Sequence, residues 1–306
     1  MYTIYTRTVK DKQLKQIQDI RKGCWINIVD PTHEELLDFA NTLKLDPDFL
    51  EDGLDENELS SIEVEKTAIY VIVRTPYKVG DQIATAPLMI VITPEYFVTL
   101  SKVHVEVLDG FIEGKKKTNT TQKTRFLLSI IHETMNRYEL YLKRISKDVK
   151  AKKINLQKLE NKDILLLVSY EETVNDFIAS FVPLNNVLRK VFGGKIIPLY
   201  EKDKEVTEDL VDDAKQTFEM ADGTLKSIKN IREAYSTILT NNLNKVMKFL
   251  AAFTIILTIP TMIASMFGMN IALPFANNSH AFSIILGLSA SISIVLWYGF
   301  QRMGWL

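Results

Sequence analysis

The sequence predicts an α+β membrane protein, in which a cytoplasmic α/β domain and a long amphipathic stalk helix precede two C-terminal transmembrane helices. The first observation behind this prediction is the distribution of charge. The 306-residue chain has 37 basic and 38 acidic side chains, yet Arg302 is the only one of them that follows Lys248. The second is that the uncharged part contains two apolar runs of about 20 residues, the helix length that crosses the ~30 Å core of a bilayer.

The charge balance and the single cysteine exclude several classes of protein. A net charge of −1 supplies no bulk positive charge for nucleic acid, and Cys24 alone forms neither an internal disulfide nor a CxxC metal clip. The segment 110–115 has one residue too few between its glycines to be a phosphate loop, and His132-Glu133 does not continue into an HExxH motif. We therefore predict that the protein is not an enzyme and binds neither nucleic acid nor nucleotide.

Residues 1–112 are predicted to form the cytoplasmic α/β domain. Alternating apolar runs occupy 62–77 and 86–101, which is typical of strands, with turns expected at proline and glycine. A helix is predicted to begin after Thr32, because Glu35 follows three residues later and completes a capping box. Strands and helices in one short stretch indicate a small α/β fold.

The segment 113–200 is predicted to be a cytoplasmic helical region. From Thr120 onward the sequence has the pattern of charged amphipathic helix, and a break near Asn161 separates two helices. The second helix is expected to end at about Phe192, where Gly193 and the residues after it indicate a loop.

A single helix of about 65 residues is predicted from Asp203 to Gly268. No proline occurs in this stretch before Pro260, and Gly223 is the only glycine ahead of its end. The cytoplasmic part of this helix, 201–248, is the stalk. Charged residues lie around much of its circumference, so it needs neighbouring helices from the chain itself or from other subunits.

The topology of the apolar part follows from the positions of its flanking charges. The predicted segments are a first transmembrane helix at 249–269, an outer loop at 270–280, a second transmembrane helix at 281–300 and a cytoplasmic tail at 301–306. The loop contains no Lys or Arg, whereas Lys245, Lys248 and Arg302 flank the two helices on the other side. Positive residues stay in the cytoplasm, which predicts a multi-pass protein of the cytoplasmic (inner) membrane with both termini inside the cell.

One face of the first transmembrane helix is polar or small. Alternating steps of three and four residues define this stripe: Asn244, Met247, Ala251, Thr254, Thr258, Thr261 and Ser265. Such a stripe faces something other than lipid. It packs against another helix through small residues, or it lines a pore. Two helices per chain cannot enclose a water path, so a pore would need one stripe from each of several chains.

The tetrapeptide Phe267-Gly268-Met269-Asn270 stands at the outer end of the stripe. Here the sequence resembles the CorA family of divalent-cation channels, whose signature is Gly-Met-Asn at the outer end of the first of two C-terminal spans. The resemblance covers the whole chain, from the α/β domain through the stalk to the short tail. Two features differ. Phe267 replaces a tyrosine of the family, and the outer loop lacks the acidic residue that the family often carries there.

The resemblance implies a passive Mg²⁺ channel, also passed by Co²⁺ and Ni²⁺, in a funnel-shaped homopentamer within the bilayer. It implies that Gly268, Met269 and Asn270 form the selectivity filter, where the Asn270 side chain and the Gly268 carbonyl meet the incoming ion. The pore positions that it implies nearly coincide with the stripe and add one more: Asn244, Met247, Leu250, Ala251, Thr254, Thr258, Thr261 and Ser265.

Two alternatives remain open. One is a zinc transporter of the same family, whose members resemble Gly-Ile-Asn at the motif more than Gly-Met-Asn. The other is a membrane-anchored sensor or scaffold, in which the stalk only holds the cytoplasmic domain near the bilayer. Neither the polar stripe nor the motif at its end has a use in such an anchor.

An acidic cluster at the start of the stalk is the candidate regulatory site: Glu201, Asp203, Glu205, Glu208, Asp209, Asp212 and Asp213. Asp209 shares a helix face with Asp212 and Asp213. The resemblance implies that acids here hold regulatory Mg²⁺ together with acids of a neighbouring N-terminal domain, for which Asp55, Glu56 and Glu58 are the candidate counterparts. The alternative is a solvated acidic helix start, favoured by the helix dipole.

Overall fold

The computed structural model describes residues 2–80, 82–194, 196–269 and 280–306, with the side chain of Lys202 left out. The chain divides into two compact units, Met1–Ile231 (unit 1) and Arg232–Leu306 (unit 2). Unit 1 contains a mixed sheet with helices on both faces. Unit 2 contains the apolar helices. This architecture confirms the predicted α+β class.

The sheet of unit 1 has seven strands: β1 Tyr2–Thr6, β2 Lys15–Ile17, β3 Trp25–Val29, β4 Ser61–Glu65, β5 Ala68–Val79, β6 Gln82–Ile92 and β7 Phe97–Ser101. Their order across the sheet is β2-β1-β3-β7-β6-β5-β4. The β3 and β7 strands pair in parallel, and the other neighbouring pairs are antiparallel. The antiparallel meander β4–β7, which contains the long β5–β6 hairpin, is therefore joined to strands β1–β3 by the single parallel pair of β3 with β7.

Two prolines that the sequence placed at turns lie inside strands instead. Pro76 is in β5, beyond the point where the pairing of β4 with β5 ends at Ile72. Pro87 is in β6, ahead of Met89, where the pairing of β6 with β7 begins. At each proline the strand has a neighbouring strand on one side only. An absent amide on the open side does not interrupt a ladder. The turn expected at Gly80 is present, and Gly80 has the positive φ of 61° that glycine accepts readily.

The helices are α1 His33–Leu43, α2 Pro47–Asp52, α3 Asp109–Ile112, α4 Lys123–Ile154, α5 Asn161–Phe192, α6 Glu201–Phe267 and α7 Ala281–Arg302. The capping box is confirmed, because the Glu35 amide donates to Thr32 Oγ1 at 3.2 Å and the Thr32 amide donates to Glu35 Oε2 at 3.0 Å. The single long helix is confirmed as well. The α6 helix has 67 residues and includes Pro260.

The sheet carries a hydrophobic core on each face. Successive residues of β5 alternate between the two cores: Tyr70 and Ile72 pack with α1 and α2, whereas Val71 and Val73 pack with α4, α5 and the first part of α6. This two-residue alternation is the period of a strand covered on both sides. It explains why β5 and β6 read as nearly continuous apolar runs.

Phe126 in α4 is the centre of the larger core. Its ring lies 5.0 Å from that of Trp25, 4.5 Å from that of Phe97 and 5.4 Å from that of Phe111, measured between ring centroids. All four side chains are at most 2% exposed. The cluster thereby ties β3, β7 and α3 to the start of α4.

In unit 2, the outer part of α6 packs beside α7. Both helices are long and apolar enough to cross a membrane. Ala252 of α6 is fully buried and Ser289 of α7 is 6% exposed, while most of the large apolar side chains on both helices are exposed. Exposed apolar surface of this extent is typical of helices that contact lipid or other subunits.

The packing of Phe126 leads to a stability prediction. Phe126→Ala should lower the free energy of unfolding by about 3–5 kcal/mol, because it leaves a cavity among three buried rings. Leu140→Ala is the matched control on the same helix, since Leu140 is 58% exposed, and its effect should stay within about 0.5 kcal/mol. Thermal unfolding of the full-length protein in detergent measures both. Equal midpoints in the two variants would contradict the placement of Phe126.

Candidate ion pathway and regulatory groove

The predicted stripe lies on the face of α6 that is turned away from α7. All of its positions from Asn244 to Ser265 are exposed in the single chain. The residues buried or half-buried beside α7 follow the same alternating steps: Ala252, Ile256, Ile259 and Ile263. The stripe positions Thr254, Thr258, Thr261 and Ser265 each come two residues later, and two residues at 100° each place them on the opposite side of the helix. Packing against α7 therefore does not account for the stripe.

The threonine hydroxyls of the stripe bond back to their own helix. Thr254 Oγ1 donates to the Leu250 carbonyl at 2.7 Å, Thr258 Oγ1 to the Thr254 carbonyl at 2.8 Å, and Thr261 Oγ1 to the Leu257 carbonyl at 2.9 Å. A hydroxyl that donates to the backbone keeps its lone pairs as acceptors. The exposed side of this row therefore presents oxygen acceptors, which suit the waters around a hydrated cation.

A shallow groove of about 470 Å³ follows the same face, lined by Phe253, Thr254, Leu257, Thr258, Thr261, Met262 and Ser265. Large apolar side chains form its sides and the hydroxyls lie along it. Such a surface fits neither lipid nor bulk water alone.

The end of α6 carries the first residues of the predicted filter. The Gly268 amide donates to the carbonyls of Ala264 and Ser265 at 3.1 and 3.2 Å, and the Met269 amide donates to the Met266 carbonyl at 3.3 Å. A Cβ atom at Gly268 would meet the Ser265 carbonyl at 3.5 Å, an ordinary contact, so the chain's own backbone does not require glycine there.

Asn270 lies outside the described residues, as does the outer loop up to residue 279. The assignment of Gly268, Met269 and Asn270 to the filter therefore stays a prediction. So does the assignment of the stripe to a pore.

In unit 1, a groove of about 660 Å³ lies between α4, the first turns of α6 and the segment after α3. Its acidic side chains are Glu133, Asp203, Asp209, Asp212 and Asp213, and its basic side chains are Lys116, Lys117 and Arg125. Five carboxylates against three cations leave a formal excess of two negative charges, apart from His132. The groove thus has the charge that one divalent cation would neutralise.

The charges in this groove fall into paired and unpaired groups. Arg125 Nε lies 3.7 Å from Asp203 Oδ1, and Asp203 is only 5% exposed. Lys116 pairs with Glu133. The remaining carboxylates are Asp209, Asp212 and Asp213, which are exposed and form no ion pair with the described residues. The negative excess therefore belongs to the three aspartates that the sequence singled out.

The proposed counterparts Asp55 and Glu56 do not line this groove. Asp55 Oδ1 accepts the Asn57 amide at 2.9 Å, and Glu56 Oε1 lies 2.8 Å from Lys102 Nζ. Arg74 holds the same loop by donating to the Glu56 carbonyl at 2.8 Å. Within a single chain, the described ranges contain no group of three or more His, Cys, Asp or Glu side chains that could hold a metal ion. The predicted site joins two chains and stays a prediction.

His132 and Glu133 lie on the surface of α4 and also line the groove. The acidic cluster is also divided, because Asp203 is buried beside Arg125 whereas Glu205 and Glu208 are exposed. No local signal marks these differences. They depend on how α4 lies alongside α6.

The soluble unit with its sheet, the long α6 and the two apolar C-terminal helices together define an α+β membrane protein. The sequence profile described as "CorA-like Mg2+ transporter protein" matches residues 21–302. The chain belongs to the CorA family, as the resemblance predicted.

Characterised relatives agree with this assignment. The chain is 27% identical over 298 residues to the cobalt/magnesium transport protein CorA of Methanocaldococcus jannaschii, covering 92% of this chain and 91% of the relative. It is 27% identical over 169 residues to the magnesium transport protein CorA of Campylobacter jejuni, covering 52% and 50% of the two chains. These names describe transport proteins, which confirms the prediction that the chain is not an enzyme.

Solved structures share the fold. The complete CorA magnesium transporter of Methanocaldococcus jannaschii superposes with a TM-score of 0.88 at 22% identity, covering 100% of this chain and 99% of the other. Full-length CmaX superposes with a TM-score of 0.75 at 14% identity, covering 98% and 96%. The ZntB cytoplasmic domain of Vibrio parahaemolyticus gives 0.64 at 10% identity, covering 78% and 98%.

The orientation of the stripe leads to a labelling prediction. Thr258→Cys should react readily with a membrane-impermeant thiol reagent, whereas Ile259→Cys, beside α7, should react slowly. The native thiol should add little background, because Cys24 is fully buried and burial raises the pKa of its thiol. Labelling of the full-length protein in liposomes measures the rates. Equal rates at the two positions would contradict a water-facing stripe.

Proposed function

We propose that this chain forms a passive channel for divalent cations across the cytoplasmic membrane, with Mg²⁺ as the principal ion and Co²⁺ and Ni²⁺ as further ones. The observation that carries the proposal is the hydroxyl-bearing stripe on the α6 face opposite α7, which leads to Gly268 and Met269 at the end of the helix. The family and the names of the relatives support the choice of ion.

The channel is proposed to be a funnel-shaped homopentamer with both termini in the cytoplasm. One stripe encloses no water, so several copies of α6 must face one another around the pathway, and α7 then lies on the lipid side. The exposure of the whole stripe in a single chain supports this arrangement. The apolar side chains on its two flanks, such as Phe253 and Met262, would pack between neighbouring copies.

The proposed filter chemistry suits an ion that gives up its water reluctantly. Mg²⁺ demands near-ideal octahedral geometry and usually keeps several of its waters. A ring of neutral Asn270 amide oxygens would hold the hydrated ion through those waters and still release it, whereas a carboxylate ring would bind it more firmly. The driving force is the membrane potential, about 2.3 kcal/mol per charge per 100 mV and twice that for a divalent ion.

Regulation is proposed to depend on the three unpaired aspartates of the groove in unit 1. Internal Mg²⁺ would bind Asp209, Asp212 and Asp213 together with Asp55 and Glu56 of a neighbouring copy. Carboxylates on two chains repel each other when the site is empty and are bridged when a divalent ion binds. Binding therefore favours the arrangement in which the subunits are close, which we propose to be the closed one.

The filter is tested by Asn270→Ala. Mg²⁺ flux into liposomes should fall almost to the background, because the amide oxygen ring is lost. Assembly should be unchanged, and light scattering should give the mass of five chains for both variant and wild type. A parallel flux assay with Zn²⁺ tests the alternative ion. Wild-type Mg²⁺ flux in a normally assembled variant would rule out this filter.

The regulatory site is tested by replacing Asp209, Asp212 and Asp213 together with Asn. Inhibition by internal Mg²⁺ should require a higher concentration, and protection from protease by Mg²⁺ should weaken in parallel, because the unpaired carboxylates are gone. The matched control replaces Glu201, Glu205 and Glu208 with Gln, which removes the same charge from exposed positions. The same inhibition curve in both triple variants would place the sensor elsewhere.

A further inference from the structure

Pro260 leaves one carbonyl of the first apolar helix without its usual donor. The proline lies inside α6. Proline has no amide hydrogen, so the carbonyl of Ile256, four residues earlier, loses its partner in the helix. Within a bilayer no water replaces the missing donor, and an unsatisfied carbonyl is costly. The Ile256 carbonyl therefore needs a donor from outside the backbone of α6.

Ser293 of α7 is placed to be that donor. Its Oγ lies 3.5 Å from the Ile256 carbonyl oxygen, which is long for a hydrogen bond between oxygens. The neighbouring serines behave differently. Ser289 Oγ and Ser291 Oγ donate to carbonyls of α7 itself, at 2.9 and 2.8 Å. Ser293 thus directs its hydroxyl to the other helix, at the one level where a proline has freed a carbonyl.

The contact lies within the packed face between α6 and α7. One turn before Ile256, Ala252 is fully buried, and one turn before Ser293, Ser289 is 6% exposed. Ile256, Pro260 and Ser293 are themselves half-buried. A hydrogen bond in such surroundings has little competition from water and contributes more than one at the surface.

We propose that Ser293 is a positioning residue for the pore-lining helix. Its hydroxyl replaces the amide that Pro260 lacks and fixes α6 against α7 at this level. Helices bend at proline, and the part of α6 beyond Pro260 carries Thr261 and Ser265 of the stripe and leads to Gly268. The bond therefore sets the angle at which the outer part of the pathway approaches the filter. This role depends on the proposed channel function, whereas the contact itself does not.

A double-mutant cycle tests the proposal on the full-length protein, with the thermal midpoint in detergent and Mg²⁺ flux in liposomes as the two measurements. Ser293→Ala should lower the midpoint and reduce flux about threefold, which corresponds to about 0.6 kcal/mol, the average for hydrogen bonds between transmembrane helices. Ser293→Thr keeps the hydroxyl and should stay near wild type. Pro260→Ala restores an amide to the Ile256 carbonyl, so adding Ser293→Ala to that variant should change neither quantity.

Ser289→Ala is the matched control, since it removes a buried hydroxyl from the same face of α7 without removing the contact to α6. Its effect should be the same with and without Pro260→Ala. If Ser293→Ala also has the same effect in both backgrounds, the contact is overturned. If the effect of Ser293→Ala on the thermal midpoint depends on residue 260 but its effect on flux does not, the positioning role is overturned. If no variant and no wild-type protein carries Mg²⁺, the proposed function fails, and the thermal midpoint still decides on the contact.

Discussion

The backbone of α6 has to find hydrogen-bond partners for its amides and carbonyls over 67 residues, and its last part is apolar enough to lie in hydrocarbon. An α-helix satisfies these groups within itself, which allows one element to belong to a soluble unit and to continue as a transmembrane helix without a loop between them. Pro260 is the place where this internal pairing fails, and Ser293 lies beside the carbonyl concerned. Because α6 is continuous, the spacing of its side chains decides what each part of the chain contacts.

That spacing puts the packed residues of α6 and its polar stripe on different faces of the helix. In unit 1 most of the buried residues of α6 follow alternating steps of three and four: Asp203, Thr207, Leu210, Ala214, Thr217, Ala221, Thr224, Ile228 and Ile231. Leu225, next to Thr224, is buried beside them. In unit 2 the residues beside α7 repeat the same steps, and the polar stripe comes two residues later. A side chain on the stripe can therefore be changed without disturbing the face that packs, which is why the labelling and flux experiments can be read separately from folding.

The two proposed ion sites require different strengths of binding, and the side chains available at each match the requirement. A filter has to release the ion as readily as it binds it, and a neutral amide suits that task. A sensor has to bind Mg²⁺ at its concentration inside the cell, and carboxylates bind a divalent cation more firmly. Asp209, Asp212 and Asp213 are free of ion pairs with the described residues, whereas Asp203 in the same groove is already neutralised by Arg125. A cation can therefore bind the unpaired carboxylates without displacing another positive charge.

Local patterns in the sequence determined the two apolar helices, the capping box at Thr32, the continuity of α6 and the polar stripe, since each depends on residues a few positions apart. They also determined the family, because the Gly-Met-Asn motif stands at a recognisable place in that pattern. The position of the filter and the pairing of the regulatory acids between chains were likewise read from sequence, and they remain predictions.

Tertiary structure alone decided the parallel pairing of β3 with β7, the positions of Pro76 and Pro87 inside strands, and the burial of Asp203 beside Arg125. It also brought His132 into the acidic groove and Ser293 to the carbonyl freed by Pro260. Apart from the two prolines, which lie in one hairpin, each of these is a contact between residues far apart in the chain. The periodicity of hydrophobic and polar residues fixes which face of an element is buried, but the partner that buries it is selected by packing over the whole unit.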